Sequence, residues 1–320
     1  MAGVKPPWRR YTPRPGKGRH MRQIACGLLA AGLIASAGTA QAQQGTGSAS
    51  FLTQARSVAA DLARTSTATA QAAPADDPPP VKVTGGIDFP SLYMFRGIRQ
   101  EADPAFTAQP FVNLAFAASP AVTLNVGSWN SFHTGSTKDG PGAFYESDFY
   151  VSGAFATGNV TTTALYTAYM SPVDAFGTVH ELAFTAGFND SENGFAVSPA
   201  VTLAFELGDN TADGGDKGIY LELAMTPTIP IGDDAPVTLT VPVKFGFSLK
   251  DYYQLTDANG NREDNAFGYF SIGLMGLVPL SSNFDIHGGV LVYAFGDNLK
   301  AFNNGESSQV VGTIGLGFSF

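Results

Sequence analysis

The sequence is poor in the residues that hold metals, build disulfide frameworks or grip nucleic acid. Its 320 residues include one cysteine, four histidines, two tryptophans, and eighteen lysines and arginines against twenty-seven acids. The lone thiol, Cys26, sits inside an apolar run from Ile24 to Ala37 near the start of the chain. A mature chain without that run has no disulfide and no cysteine-held metal. No later stretch reaches the ~18 apolar residues of a membrane-crossing helix, which excludes a helical membrane protein. The shortage of basic charge excludes nucleic acid as a partner and favours cations.

Histidine and calcium motifs are equally thin. Outside the leader only His133, His180 and His287 remain, and there is no His-x-Ser-Asn-Gly pattern of a lipid-cleaving barrel. His133 falls in an expected outer loop near Ser131 and Ser136, and His287 is expected to face a lumen below the outer rim. A hydrolase needs a serine beside an activating histidine, so a barrel lipid hydrolase is carried only as the remoter alternative and no enzyme is expected. Asp209-x-Thr211-x-Asp213-Gly214 begins like a calcium loop but has Tyr220 at its twelfth position, and Asp257-x-Asn259-x-Asn261 is followed by Arg262 instead of glycine. Both read as solvated turns; no metal and no cofactor is expected.

What the chain does have is an export signal followed by alternation. Met21 and Arg22 precede the apolar run, and Ala40-Gln41-Ala42 forms a small-x-small cleavage site, so residues 1–42 read as a secretory signal peptide. Translation from Met1 or from Met21 fits equally. Removing it leaves eleven basic residues against twenty-seven acids, a net charge of −16. Residues 43–80 are rich in Ala, Thr, Ser and Gln, end in Pro78-Pro79-Pro80, and read as a periplasmic linker. Phe51, Leu52, Ala55, Val58, Ala59 and Leu62 recur within it at helical spacing. Such a short helix is marginal in water; it could plug a pore, pair with other subunits or stay disordered.

From Val81 the period is two. Twelve segments have strand character: 81–97, 105–117, 121–132, 143–156, 159–170, 178–189, 194–208, 218–230, 235–250, 265–280, 283–296 and 308–320. In 237–249 the residues Val237, Leu239, Val241, Val243, Phe245, Phe247 and Leu249 face one way, and Thr238, Thr240, Lys244, Gly246 and Ser248 the other. The last segment sets Val310, Ile314, Leu316, Phe318 and Phe320, with Gly312 the one residue among them that is not large and apolar, against Val311, Thr313, Gly315, Gly317 and Ser319. One apolar and one small or polar face is what a strand between lipid and lumen requires. Residues 81–320 are therefore expected to form an all-β, transmembrane, antiparallel up-and-down barrel of about twelve strands in a bacterial outer membrane.

The connections agree. If the first strand runs outward, the links after the second, fourth, eighth and tenth strands should be short periplasmic turns, and those after the third, seventh, ninth and eleventh long polar loops; they are. The division of 159–189 into two strands is the least marked. Each proline deletes a ladder donor. Pro199, Pro227, Pro230, Pro236 and Pro279 fall near periplasmic strand ends, whereas Pro90, Pro110 and Pro242 predict bulges or broken ladder bonds.

The stretch Ser91-Leu92-Tyr93-Met94-Phe95-Arg96-Gly97-Ile98, followed by Pro104-Ala105, resembles the opening of the TorF-type porin family. Gly127-Ser128-Trp129, Glu146-Ser147-Asp148, Tyr166 with Tyr169, and His180-Glu181-Leu182 follow in that family's order, over roughly residues 85–190. Leu92 stands where an acidic or polar residue is common in the family. The resemblance implies an outer-membrane barrel of channel function and names no substrate. Thr313, Gly315, Phe318 and Phe320 likewise resemble the C-terminal signal that such barrels present to the barrel assembly machinery.

Strand parity and direction then select candidate residues. Arg96 is expected at the outward end of the first strand, facing the lumen; Trp129 shares that parity in the third, Glu146 and Asp148 begin the fourth, and Glu181 begins the sixth. Glu206, Glu222 and Lys244 lie on polar faces further along. They predict a belt below the outer rim, serving either as a constriction or as an ion-pair network bracing the wall. The expected function is a porin-like channel for passive diffusion of small hydrophilic solutes or ions with cation preference. A non-channel structural or adhesin-type barrel is the main alternative. The expected partners are outer-membrane lipid and lipopolysaccharide, the assembly machinery, and small hydrophilic solutes or cations.

Overall fold

A computed structural model describes residues 81–320 apart from 102–104, 135–141, 192–194, 230, 232–236 and 257–259. The expected signal peptide and linker, Pro104, Pro230, Pro236, Ser136, Asp257 and Asn259 lie outside the described residues. The wall consists of twelve strands: β1 Val81–Pro90, β2 Thr107–Ser119, β3 Val122–His133, β4 Phe144–Thr157, β5 Val160–Met170, β6 Val179–Phe188, β7 Ala200–Leu207, β8 Ile219–Met225, β9 (Thr238–Thr240 and Val243–Lys250), β10 Phe267–Pro279, β11 Phe284–Phe295 and β12 Ser308–Ser319. Each pairs antiparallel with its neighbours in sequence, and β1 returns to β12 from Thr84↔Ser319 to Pro90↔Thr313. That last ladder closes the ring, leaving no sheet edge to face lipid with unpaired backbone groups.

The burial pattern is that of a soluble protein turned inside out. Val112, Phe116, Phe149, Val151, Phe184, Leu223, Leu274, Val292, Val310, Ile314 and Leu316 are exposed on the outer face. Their strand neighbours Asn113, Asn125, Ser152, Thr163, Thr185, Thr202 and Thr240 are buried on the inner one. Apolar outside and polar inside, at period two, is the partition between hydrocarbon and lumen. The chain is thus an outer-membrane β-barrel. The segment 159–189 does divide into two strands, paired from Val160↔Phe188 to Tyr169↔Val179.

Prolines mark the weak points. The β2–β3 ladder skips Pro110 between Ala108↔Phe132 and Phe111↔Trp129. Pro242 splits β9, and its carbonyl accepts the Gly273 N–H at 3.0 Å. Pro90 corrects the sequence reading. The first strand does not run to Gly97: it ends at Pro90, Ser91 makes a last bond to the Gly312 carbonyl at 2.8 Å, and the chain then leaves the wall and turns into the barrel. Arg96 accordingly does not stand on a wall strand.

Candidate functional site: an infolded hairpin and its belt

A twelve-stranded barrel is wider than the eight-stranded kind whose own side chains fill the interior, and here the hairpin after β1 enters that space. Met94 pairs with Arg99 and Phe95 with Ile98 around a two-residue turn in which Arg96 has φ 45° and Gly97 φ 79°. Positive φ at both central positions belongs to the tight hairpin turn whose twist matches its strands. A Cβ on Gly97 would stand 2.7 Å from Leu299 Cδ1 and 2.8 Å from Tyr269 Cδ1, so conformation and space both demand glycine. Leu92, Tyr93, Met94, Phe95 and Ile98 are all buried in the interior.

The tip is tied to the far wall and to two outer loops. Arg96 donates from Nη1 and Nη2 to the two carboxylate oxygens of Glu181 on β6, at 2.5 and 2.7 Å, and from Nη1 to the Tyr252 hydroxyl at 2.7 Å. Its guanidinium carbon lies 4.2 Å from the centroid of the Tyr220 ring. Burial alone would lower the Arg96 pKa; Glu181 and the tyrosines around it push it well above its ordinary value. The Tyr253 hydroxyl donates to the Arg96 carbonyl at 2.9 Å. Behind the turn, a short helix α1, Asp297–Phe302, ends in Asn303. Asn303 Nδ2 donates to the Gly97 carbonyl at 2.7 Å, and its Oδ1 accepts the Arg99 N–H at 3.0 Å.

The base of the hairpin meets the opposite side of the belt. Tyr93 donates from its hydroxyl to Glu146 on β4 at 2.9 Å and packs 5.3 Å from the Trp129 ring. Asp148 is buried and stands directly opposite Trp129 and Tyr169 in the wall ladders. Tyr169 donates to Glu181 at 3.1 Å, and its ring packs tilted against Phe95 at 5.7 Å. Arg96 thus meets Glu181 directly, whereas Glu146 and Trp129 join the same assembly through Tyr93, three residues earlier on the hairpin.

The remaining expected residues also point inward; Glu222 and its partner Lys244 join the belt through Tyr220, while Glu206 serves an outer loop. Glu222 on β8 pairs with Lys244 on β9 at 3.4 Å and accepts the hydroxyls of Tyr220 and Tyr269 at 2.9 and 3.0 Å. Glu206 on β7 holds the outer loop 208–218 by accepting the N–H groups of Ala212 and Gly218 at 2.6 and 2.8 Å. Asp213 in that loop accepts the Gln254 and Gly215 N–H groups, both at 2.7 Å, and so joins it to the loop carrying Tyr252 and Tyr253. Burial raises the Asp213 pKa to about 6. His287 faces the lumen as expected but stands near the inner end of β11, not below the outer rim, because it comes three residues after Phe284, where the strand leaves its short turn; it lies between Asp88 and Asp285 at 2.7 and 2.8 Å. Within the C-terminal motif Gly315 faces this pair, and a Cβ there would collide with both Asp88 and His287, while Phe320 is exposed on the outside.

The sequence reading missed the hairpin because Met94-Phe95-Arg96-Gly97 continues the apolar and polar alternation of a strand. Pro90 followed by Arg96-Gly97 between two apolar pairs was the available signal. The tyrosines Tyr220, Tyr252, Tyr253 and Tyr269 were invisible individually, because a lumen-facing tyrosine and a lipid-boundary tyrosine look alike in sequence.

No family model matches this sequence, and no curated protein matches it. Solved structures are similar to it. The COG4313 outer-membrane channel of Pseudomonas putida F1 is similar at 12% identity and TM-score 0.49, over 78% of this chain and 100% of that one. The NanC porin is similar at 10% identity and TM-score 0.42, over 75% and 99%. The translocator domain of the autotransporter NalP from Neisseria meningitidis is similar at 12% identity and TM-score 0.40, over 77% and 90%.

Proposed function

We propose that this barrel is a porin-like channel for small hydrophilic solutes or ions, and that the infolded hairpin 91–101 is the constriction at its outer end. The observation that carries the reading is the hairpin's anchoring. A chain segment crosses a lumen lined by Asn113, Asn125, Ser152, Thr185 and Thr202, and is tied to β4 through Tyr93 and to β6 through Arg96. Polar walls that keep water, narrowed by a loop with charged and aromatic contacts, provide a path of controlled width. With nine basic residues against twenty-four acids over 81–320, the field favours cations.

A second reading, a barrel that anchors or adheres without conducting, draws support from the same hairpin, since its contacts span the lumen from wall to wall. Planar bilayers separate the two. The channel reading expects discrete conductance steps that persist after residues 43–80 are removed. A tight seal with repeated folded preparations supports the anchor or adhesin.

A further inference from the structure

At the end of the infolded hairpin, three side chains that take no part in the Arg96–Glu181 and Tyr93–Glu146 tethers stand in a row. On β3, Ser131 and His133 are two residues apart on the same inward face, and Ser131 Oγ lies 2.6 Å from His133 Nε2. On the other side of the ring, His133 Nδ1 is 3.1 Å from Oε2 of Glu101, the last described residue of the infolded segment. The second Glu101 oxygen is fixed by the Tyr93 N–H at 2.9 Å and the Thr107 hydroxyl at 2.8 Å. Burial raises the Glu101 pKa, and the hydrogen bonds to Tyr93 and Thr107 oppose that rise. Gln109 donates from Nε2 to Ser131 Oγ at 3.3 Å. The His133 ring is clamped, stacked on Tyr145 at 4.7 Å and met edge-on by Tyr93 at 5.7 Å.

We propose that Ser131, His133 and Glu101 form a nucleophile, base and orienting acid, giving the barrel an esterase activity toward small carboxylic esters that enter the lumen. In the tautomer with the proton on Nδ1 the roles line up. Ser131 O–H donates to Nε2, Nδ1–H faces the carboxylate, and the Gln109 amide is placed to donate to an oxyanion formed beside Oγ. Among the described residues, Nδ1 of His133 and Oε2 of Glu101 have no hydrogen-bond partner, and the 3.1 Å approach between them is a close contact that lacks hydrogen-bond geometry. In the acylation step Oγ bonds to the ester carbonyl carbon and its proton moves to Nε2. Collapse breaks the bond to the alkoxy oxygen, which leaves with that proton as the alcohol. Water then attacks the acyl-serine, His133 again taking the proton and returning it to Oγ, and the acid is released.

Ser131 is fully enclosed, with Tyr93 filling the space beside the histidine, so movement of the hairpin admits the substrate. The test is labelling of the purified, folded barrel with a small fluorophosphonate, read by peptide mass. The expected result is an adduct on Ser131 in the wild type, formed at least ten times faster in Tyr93→Ala. It is absent from His133→Gln, slowed in Glu101→Gln, and accompanied by a burst of p-nitrophenol from p-nitrophenyl acetate. An unmodified Ser131 in both wild type and a Tyr93→Ala barrel that retains its heat-modifiable band overturns the proposal, and the row is then a latch holding the hairpin to β3. Should Tyr93→Ala not fold, the wild-type acetate burst and its loss in Ser131→Ala decide the matter alone.

Discussion

Replacing Arg96 with alanine removes the hairpin's strongest tether. The lost groups are two charge-assisted bonds to Glu181, one bond to Tyr252 and the stacking on Tyr220. Glu181, whose side chain is 3% exposed, is left as a buried carboxylate without its cation. Removing one partner of a buried pair costs roughly 3–5 kcal/mol. The hydrogen bonds that remain contribute about 1 kcal/mol net each from Tyr253 and Asn303 to backbone carbonyls, and about 1.5–3 kcal/mol from Tyr93 to the Glu146 carboxylate. A loss of about 3 kcal/mol shifts the docked-to-released ratio more than a hundredfold, so the variant's hairpin should spend much of its time out of the lumen. Single-channel recordings should then show larger and noisier conductance with stronger cation preference, because a lumen cation is gone. Trypsin should cut at Arg99. No wall ladder is touched, so heat resistance of the folded barrel on gels should persist. Arg96→Ala with Glu181→Ala should recover part of the docking by removing the stranded charge. Unchanged conductance and protease resistance in a folded Arg96→Ala barrel would refute this reasoning, while failure to fold would make the belt a brace for the wall.

Other outcomes follow from the same geometry. Gly97→Ala places a methyl group against Leu299 and Tyr269 at a positive φ, a strain of order 1–3 kcal/mol, and should raise tryptic cleavage at Arg99 without altering heat resistance. Asp213 has its pKa raised by burial from 3.8 to about 6. The folded loops therefore hold its proton more tightly than the open form does, and gain stability as pH falls through that value. Between pH 7 and 5 the gain is about 1.4 kcal/mol, so exchange protection of the Gln254 and Gly215 amides should rise roughly tenfold beyond the intrinsic pH effect, and Asp213→Asn should abolish that dependence. Cation preference, measured as a reversal potential, should weaken as salt rises and the Debye length falls below about 10 Å; anion preference at low salt would point instead to Lys244 and Lys250 as the controlling charges.

The wall was legible in the sequence because period two is a strong signal when one face meets lipid. β12 shows Val310, Ile314 and Leu316 outward against Val311 and Gly315 inward, the partition its alternation implies. The same parity points Trp129, Glu146, Asp148, Glu181, Glu206, Glu222 and Lys244 inward, where the structure buries them. Pro110 and Pro242 predicted lapses in pairing, and the ladders lapse at both. Parity failed at Arg96, because alternation records which face a residue takes but not whether its strand still belongs to the wall. The missing donor of Pro90 and a turn that only Gly97 can close decided that instead. Contacts between outer loops, such as Asn303 on Gly97 or Asp213 on Gln254, join residues far apart in sequence that carry no period. His133 was assigned to a loop and proves to be the last residue of β3, enclosed beside Ser131; in sequence a histidine two residues after a serine gives no sign of depth.

The most direct test of a channel narrowed by its own hairpin is a paired planar-bilayer recording of the wild-type barrel and one in which residues 92–100 are replaced by a short Gly-Ser link. The account predicts discrete, cation-preferring steps from both, with a severalfold larger unit conductance after the replacement. Tight seals from both folded proteins, or the same unit conductance with and without the hairpin, would contradict it.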